Sequence, residues 1–66
     1  MNIDTNRIMQ ILAEQGLTKS ELASRSGVSR QQISTILGRS TCNPKTAGKL
    51  AAGLGVPVLE IVKGAL

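Results

Sequence analysis

The stretch TKSELASRSGVSRQQISTILG, residues 18–38, decides the fold. It contains two helix-start signals, in which Thr18 precedes Glu21 and Ser29 precedes Gln32 by three positions. In such a capping box the hydroxyl of the cap accepts a hydrogen bond from the amide of the third helical residue, and the side chain of that third residue accepts one from the amide of the cap. The stretch therefore predicts two short helices, each with its own start.

The connection between these two helices is unusually short. The first is predicted over about 19–26 and the second over about 30–37, with Gly38 as its end. Only Gly27, Val28 and the cap lie between them. So short a link excludes a hairpin and makes the helices cross steeply, with a glycine free to take a positive φ at the corner. We therefore predict a helix-turn-helix unit at about 18–38.

The rest of the chain reads as further short helices, with no alternating pattern of a strand. A first helix is predicted from Asp4 or Thr5 to about Gln15, because apolar residues recur there at helical spacing before a glycine. Asn43-Pro44 predicts a helix to Leu54, and Pro57 a fifth over about 57–63. Two glycines inside the fourth helix, Gly48 and Gly53, suggest close backbone packing. Together these helices predict one all-α domain over 1–66, a compact five-helix bundle.

Composition excludes several classes of protein. The chain has 66 residues, no aromatic residue, no histidine and one cysteine. A lone thiol suits a reducing compartment, and no segment approaches the roughly 20 apolar residues of a membrane span. The four acids are scattered and no metal-ligand cluster is present. We expect a cytoplasmic, non-enzymatic protein without metal, cofactor or membrane contact.

The charge is distributed unevenly along the chain. The formal net charge is +4, and no acid occurs between Glu21 and Glu60. Five cations fall in that interval: Arg25, Arg30, Arg39, Lys45 and Lys49. A middle that is basic only, flanked by ends that hold all four acids, suggests a surface that faces a polyanion. The alternative is ordinary solubilising charge.

The predicted third helix has two different faces at about 100° per residue. Its aliphatic residues, Ile33, Ile36 and Leu37, fall on one side. The other side is polar and without acids: Arg30, Gln31, Ser34, Thr35 and Gly38. A cation at the start of a helix opposes the helix dipole, which favours a functional reason for Arg30.

This chain resembles the lambda repressor/Cro-like (XRE) helix-turn-helix family of DNA-binding regulators over nearly its whole length. The resemblance is carried by Leu22-Ala23, Gly27-Val28-Ser29, Ile33, Ile36-Leu37, Leu50-Ala51 and Leu54-Gly55-Val56. It implies the lambda-repressor-like bundle, with the third helix in the major groove. The sequence departs from the family's pattern at Lys19, often Gln, and at Pro57, often Ser. Another departure is the turn after the third helix.

The resemblance implies which residues would read bases. Arg30 and Gln31 would lie deepest, since Arg can bond to guanine O6 and N7 and Gln to adenine N6 and N7. Thr35 would offer its methyl to a thymine, with Ser34 as a weaker base contact. The phosphate contacts would be Lys19, Ser29, Gln32, Arg39, Thr41, Asn43 and Lys45. For Gln32, capping of Ser29 is an equal alternative.

One unit reads too few base pairs for genomic specificity, so the resemblance implies a homodimer on a palindromic operator. The apolar tail 57–66 would form the interface through Val58, Leu59, Val62 and Leu66. The alternative is that the tail packs back or frays. We expect a nucleoid-associated repressor. The other candidate is an antitoxin or similar helical module that neutralises a partner protein and regulates its own operon.

Overall fold

The computed structural model describes residues 1–64. Four α-helices and one 3₁₀ turn make up its regular structure. They are α1 (Thr5–Gln15), α2 (Lys19–Ser26), α3 (Arg30–Arg39), α4 (Pro44–Leu54) and the 3₁₀ turn Val58–Glu60. The all-helical class and the bounds predicted for α1, α2 and α4 are confirmed. Leu66, predicted as a dimer contact, lies outside the described residues.

A side chain caps the start of each α-helix. Asp4 accepts from the Arg7 amide at 3.0 Å, and Asn43 from the Thr46 amide at 2.8 Å. At α2 both bonds of the predicted box form, with Thr18 and Glu21 each accepting from the other's amide. These bonds satisfy amides that a helix leaves unpaired at its start. Because each cap acts on an amide three residues away, the helix starts could be predicted from the sequence.

The box at α3 forms only in part. Ser29 Oγ accepts from the Gln32 amide at 3.1 Å. The structure shows no return bond from the Gln32 side chain, which is exposed. Of the two roles predicted for Gln32, capping is therefore not seen, and its amide group stays available to a ligand.

The end predicted for α3 at Gly38 is wrong. The helix continues to Arg39, and Ser40 closes it in the left-handed conformation with φ 60°. The Ser40 amide donates to Ile36 O at 2.7 Å, and its carbonyl accepts from the Ile3 amide at 2.8 Å. A left-handed serine is strained compared with glycine, and this pair of bonds holds it in place.

The helix predicted over 57–63 is not formed. A single 3₁₀ turn spans Val58–Glu60, so the five-helix count is not confirmed. Beyond the turn, the chain pairs with the N-terminal segment. The Asp4 amide donates to Ile61 O at 2.8 Å, and the Lys63 amide donates to Asn2 O at 3.0 Å. These distant partners take the backbone groups that a helix would have bonded internally.

The N-terminal segment joins two parts of the fold that are far apart in sequence. Asn2 forms an isolated antiparallel bridge with Thr41, and Ile3 forms one with Val62. The Ile3 side chain is only 1% exposed and packs in the core. The loop between α3 and α4 is therefore fixed through residues 1–3 to the C-terminal part of the chain.

The core is aliphatic, as the composition requires. Its largest fully buried side chains are Ile3, Ile8, Leu22, Ile33, Leu50, Leu54 and Ile61. Helices α2 and α4 are in tight contact at Gly53, where an added Cβ would lie 2.8 Å from Ser26 Cβ. An added Cβ at Gly48 would meet nothing within 4 Å. The suggested close packing is thus confirmed at one glycine and wrong at the other.

Candidate nucleic-acid interface

The corner between α2 and α3 is built as its sequence predicts. Gly27 has φ 74°, and its amide donates to Ala23 O at 3.0 Å. Val28 is buried, and its amide donates to Ser26 Oγ at 3.2 Å. A buried amide without a partner would be costly, so this bond stabilises the tight turn. The turn fixes the direction in which α3 leaves α2.

Helix α3 is oriented by its apolar residues. Ile33 and Ile36 are buried, and Leu37 packs partly against the same core. The four predicted base contacts consequently point away from the core, and all are exposed: Arg30, Gln31, Ser34 and Thr35. The structure places these side chains on the face where a ligand could reach them.

Thr35 has its hydrogen-bond donor occupied. Its hydroxyl donates to Gln31 O at 3.0 Å, one turn back along α3. A threonine in this state keeps an acceptor oxygen and a methyl group for external contacts. That chemistry fits the predicted contact with a thymine methyl.

An open concavity of about 480 Å³ lies beside α3, between this helix and the segment that leads into α4. Seven of the predicted DNA contacts line it: Ser29, Gln31, Gln32, Thr35, Arg39, Thr41 and Asn43. Three lining residues were not predicted: Ile36, Cys42 and Thr46. Thr46 could have been found from the Asn43-Pro44 signal, since this places it in the first turn of α4.

Four predicted contacts do not line the concavity. Arg30 and Ser34 lie on α3 but outside the lining, and both are exposed. Lys19 is the first residue of α2 and is half-buried, whereas Lys45 follows Pro44 in α4 and is exposed. These four residues therefore lie outside the lining of the concavity, on α3 or at the starts of α2 and α4.

The helix caps that border the concavity keep hydrogen-bond donors. Ser29 uses its oxygen to accept from Gln32, so its hydroxyl proton is still available. Asn43 uses Oδ1 to accept from Thr46, so its amide NH₂ group remains a donor. Both caps sit at the positive end of a helix dipole, where anions are favoured. Each can cap its helix and contact a phosphate at the same time.

Thr41 is less suited to the predicted role. Its hydroxyl donates to Met1 O at 3.0 Å, and Met1 O also accepts from the Cys42 amide at 3.1 Å. The Thr41 proton is therefore committed to holding the N-terminal segment. A phosphate would have to displace that bond in order to receive it.

Negative charge is kept away from this surface. In the portion of the chain that the structure describes, both ion pairs involve Arg7, with Glu60 at 2.9 Å and Glu14 at 3.9 Å. The hydrogen bond to Glu60 raises the pKa of Arg7 above its ordinary value. Arg30 and Arg39 have no acid in such a pair, so their charges are open to an anionic ligand.

Cys42 lines the concavity but is not poised for chemistry. Its side chain is half-buried, and burial raises the pKa of the thiol above its ordinary value. A raised pKa keeps the group protonated and weakly nucleophilic. Its role here is to pack beside the core.

The predicted dimer residues differ in their surroundings. Leu59 is 71% exposed at the 3₁₀ turn. Val58 and Val62 are partly buried and pack against the protein's own core. An exposed leucine on the outside of so small a domain is available for contact with another chain.

A two-helix corner that presents a polar, cationic helix is typical of a helix-turn-helix domain. The helix-turn-helix family model matches residues 8–61, most of the chain. The chain belongs to this family, and the predicted lambda repressor/Cro-like relationship is confirmed. The family is one of DNA-binding regulators. Comparisons with curated proteins and with solved structures gave no match. Across residues 1–64, every helix is too short or too polar to cross a membrane.

Proposed function

We propose that this protein is a sequence-specific regulator that binds double-stranded DNA with α3 in the major groove. The observation that carries the proposal is the outward face of α3, which is exposed, cationic and free of acids. Arg30 and Gln31, at the start of α3, would read base edges, with Ser34 and Thr35 one turn further on. The role is binding without catalysis, in the cytoplasm at the nucleoid.

The phosphates of one strand would lie along the concavity. Ser29 and Asn43 present donors at two helix starts, and Arg39 adds a positive charge between them. Lys19 and Lys45 would contact phosphates from the first turns of α2 and α4. Such contacts fix the position of the protein on DNA, while base contacts supply its specificity.

We further propose that the protein acts as a homodimeric repressor on a palindromic operator. The longest dimension of one chain is 29 Å, and successive major grooves on one side of DNA are about 34 Å apart. Two copies side by side can therefore place their α3 helices in adjacent grooves. Leu59, at 71% exposure, is the most exposed large apolar residue of residues 1–64, and we assign it to the contact between copies. Occupying the operator would block transcription.

The DNA-binding proposal is tested with a site selected from random duplexes. Replacing Arg30 by Ala should weaken binding to that site by about 1–3 kcal/mol and relax the preference at one base pair. Replacing Lys19 by Ala should weaken binding to all sequences and lower the salt slope by about 1. Arg25→Ala, which removes the same charge from the end of α2, is the matched control. Equal losses for Arg30→Ala on selected and scrambled DNA would contradict the assigned roles.

The dimer is tested by sedimentation. The wild-type protein should sediment as a dimer at micromolar concentration, and Leu59→Asp should sediment as a monomer, because it places a charge in an apolar contact. Circular dichroism controls for folding, which an exposed position should leave intact. A monomeric mass for both proteins would remove the dimer from the proposal, and a dimeric mass for both would exclude Leu59 from the interface.

A further inference from the structure

Helix α3 contains a glycine that its own fold does not need. Gly38 lies in the last turn of the helix, is exposed, and is absent from the residues with positive φ. An added Cβ there would meet nothing within 4 Å. Glycine at a helical position with ordinary φ favours the helix less than alanine does, although the effect is smaller in the last turn than in the interior. The chain therefore carries a destabilising residue with no compensating contact inside the molecule.

The position of Gly38 relates it to the predicted DNA surface. It follows Gln31 by seven residues, Ser34 by four and Thr35 by three. At about 100° per residue these four residues lie along one face of α3. Gly38 thus continues the line of predicted base contacts into the third turn, where the face becomes bare backbone.

The dimensions of the major groove make the missing side chain at Gly38 important for the fit of α3. An α-helix with its side chains is about 10–12 Å across, and the major groove is about 12 Å wide. The fit leaves little spare room, so one methyl group on the inserted face would alter how deeply the helix can lie. Residues that go against the local structural preference are found most often at functional sites. Gly38 is such a residue, and it lies on the face of α3 that is proposed to enter the groove.

We propose that Gly38 determines specificity by giving clearance, allowing the second half of α3 to lie close to the floor and wall of the major groove. This inference rests on the proposed function of DNA binding. With the bare backbone at Gly38, α3 lies along the groove rather than tilting out of it. Gln31 and Thr35 are then both held within reach of base edges. A side chain at position 38 would lift α3 and lengthen those contacts.

The experiment compares two glycine-to-alanine variants at exposed helical positions. Gly48, in the middle of α4, is also exposed, has no positive φ, and has free space around it. Gly48→Ala should raise the Tm by about 4 °C or more, because alanine favours the helix interior, and Gly38→Ala, in the last turn of α3, should raise it by less. Binding to a duplex selected with the wild-type protein, and to a scrambled duplex at low salt, is then measured for all three proteins.

Gly38→Ala should bind the selected duplex about tenfold or more weakly than wild type, while its binding to the scrambled duplex stays unchanged. The reason is that non-specific binding rests on phosphate contacts alone. Gly48→Ala should match wild type on both. Undiminished binding of the selected duplex by Gly38→Ala would overturn the inference. Equal losses on both duplexes, or a lower Tm for Gly38→Ala, would do so too.

Failure of the inference can be told apart from failure of the proposed function. A wild-type protein that binds no duplex at all would defeat the proposed function, and the variants would then not be needed. A wild-type protein that binds its selected duplex, together with a Gly38→Ala variant of equal affinity, would leave the proposed function standing and remove only the role of Gly38.

Discussion

The tight contact between α2 and α4 makes Gly53→Ala the sharpest test of the packing. The new Cβ would lie 2.8 Å from Ser26 Cβ and 3.1 Å from both Ser26 Cα and Ser26 N. Carbon atoms pack best at about 3.5–4.0 Å. The atoms that must yield belong to the backbone of α2 or adjoin it, and Ser26 is buried, so no flexible side-chain end can move aside. The two helices have to separate.

The magnitude follows from two opposing effects. Overpacking in a well-packed core costs about 1–3 kcal/mol, and replacing glycine by alanine within a helix returns about 1 kcal/mol. Gly48→Ala makes the same substitution in the same helix with open space around it. Gly53 lies in the last turn of α4, where the gain from alanine is smaller, so a stability more than about 1 kcal/mol below that of Gly48→Ala reports the collision with Ser26.

Thermal unfolding followed by circular dichroism measures this difference. Gly48→Ala should be more stable than wild type, and Gly53→Ala should fall below Gly48→Ala by about 1–3 kcal/mol. In a domain of this size each kcal/mol shifts the Tm by about 4–8 °C. If both variants were stabilised equally, α2 and α4 could not approach as closely as the structure describes, and the argument for Gly53 would be refuted.

Two further predictions concern the cap of α3 and the thiol. Ser29→Ala should lower the free energy of unfolding by about 0.5–2 kcal/mol through loss of the bond to the Gln32 amide; denaturant titration against Ser24→Ala, an exposed serine within α2, checks this, and equal midpoints would contradict it. Burial raises the pKa of Cys42 above its ordinary 9.0, so the folded protein holds this proton more tightly than the unfolded chain. The resulting stability is complete below that pH and is lost as pH rises through the folded pKa. The stability of wild type relative to Cys42→Ala should therefore decline in alkaline solution, and a pH-independent difference would count against the burial.

The sequence alone determined where α1, α2 and α4 lie. Their starts are set by Asp4, Thr18 and Asn43, and each cap bonds to an amide three residues away. Each of these signals spans only three residues and needs no tertiary contact, so it can be recognised in the sequence alone. The same holds for the outward face of α3, because helical periodicity alone separates its apolar side from its polar side.

The end of α3 and the conformation of the C-terminal segment depend on tertiary contacts and could not be predicted from the sequence. Ser40 closes α3 because its carbonyl bonds to Ile3, and residues 61–63 do not continue as a helix because they pair with residues 2–4. These partners are tens of residues apart along the chain, and neither member carries a local signal for the other. Gly38 fits the local rule for a helix end, and Pro57 fits the local rule for a helix start. In both places, backbone hydrogen bonds to distant residues produced a different structure.

The candidate site divides in the same way. Local sequence placed the exposed polar residues on α3 and the donors at the helix starts. The concavity that gathers Ser29, Gln31 and Asn43 lies between α3 and the loop before α4, and residues 1–3 tie this loop to the C-terminal segment. Helix starts and faces depend on hydrogen bonds and periodicity within a few residues, whereas the spacing between elements depends on which distant backbone groups find each other.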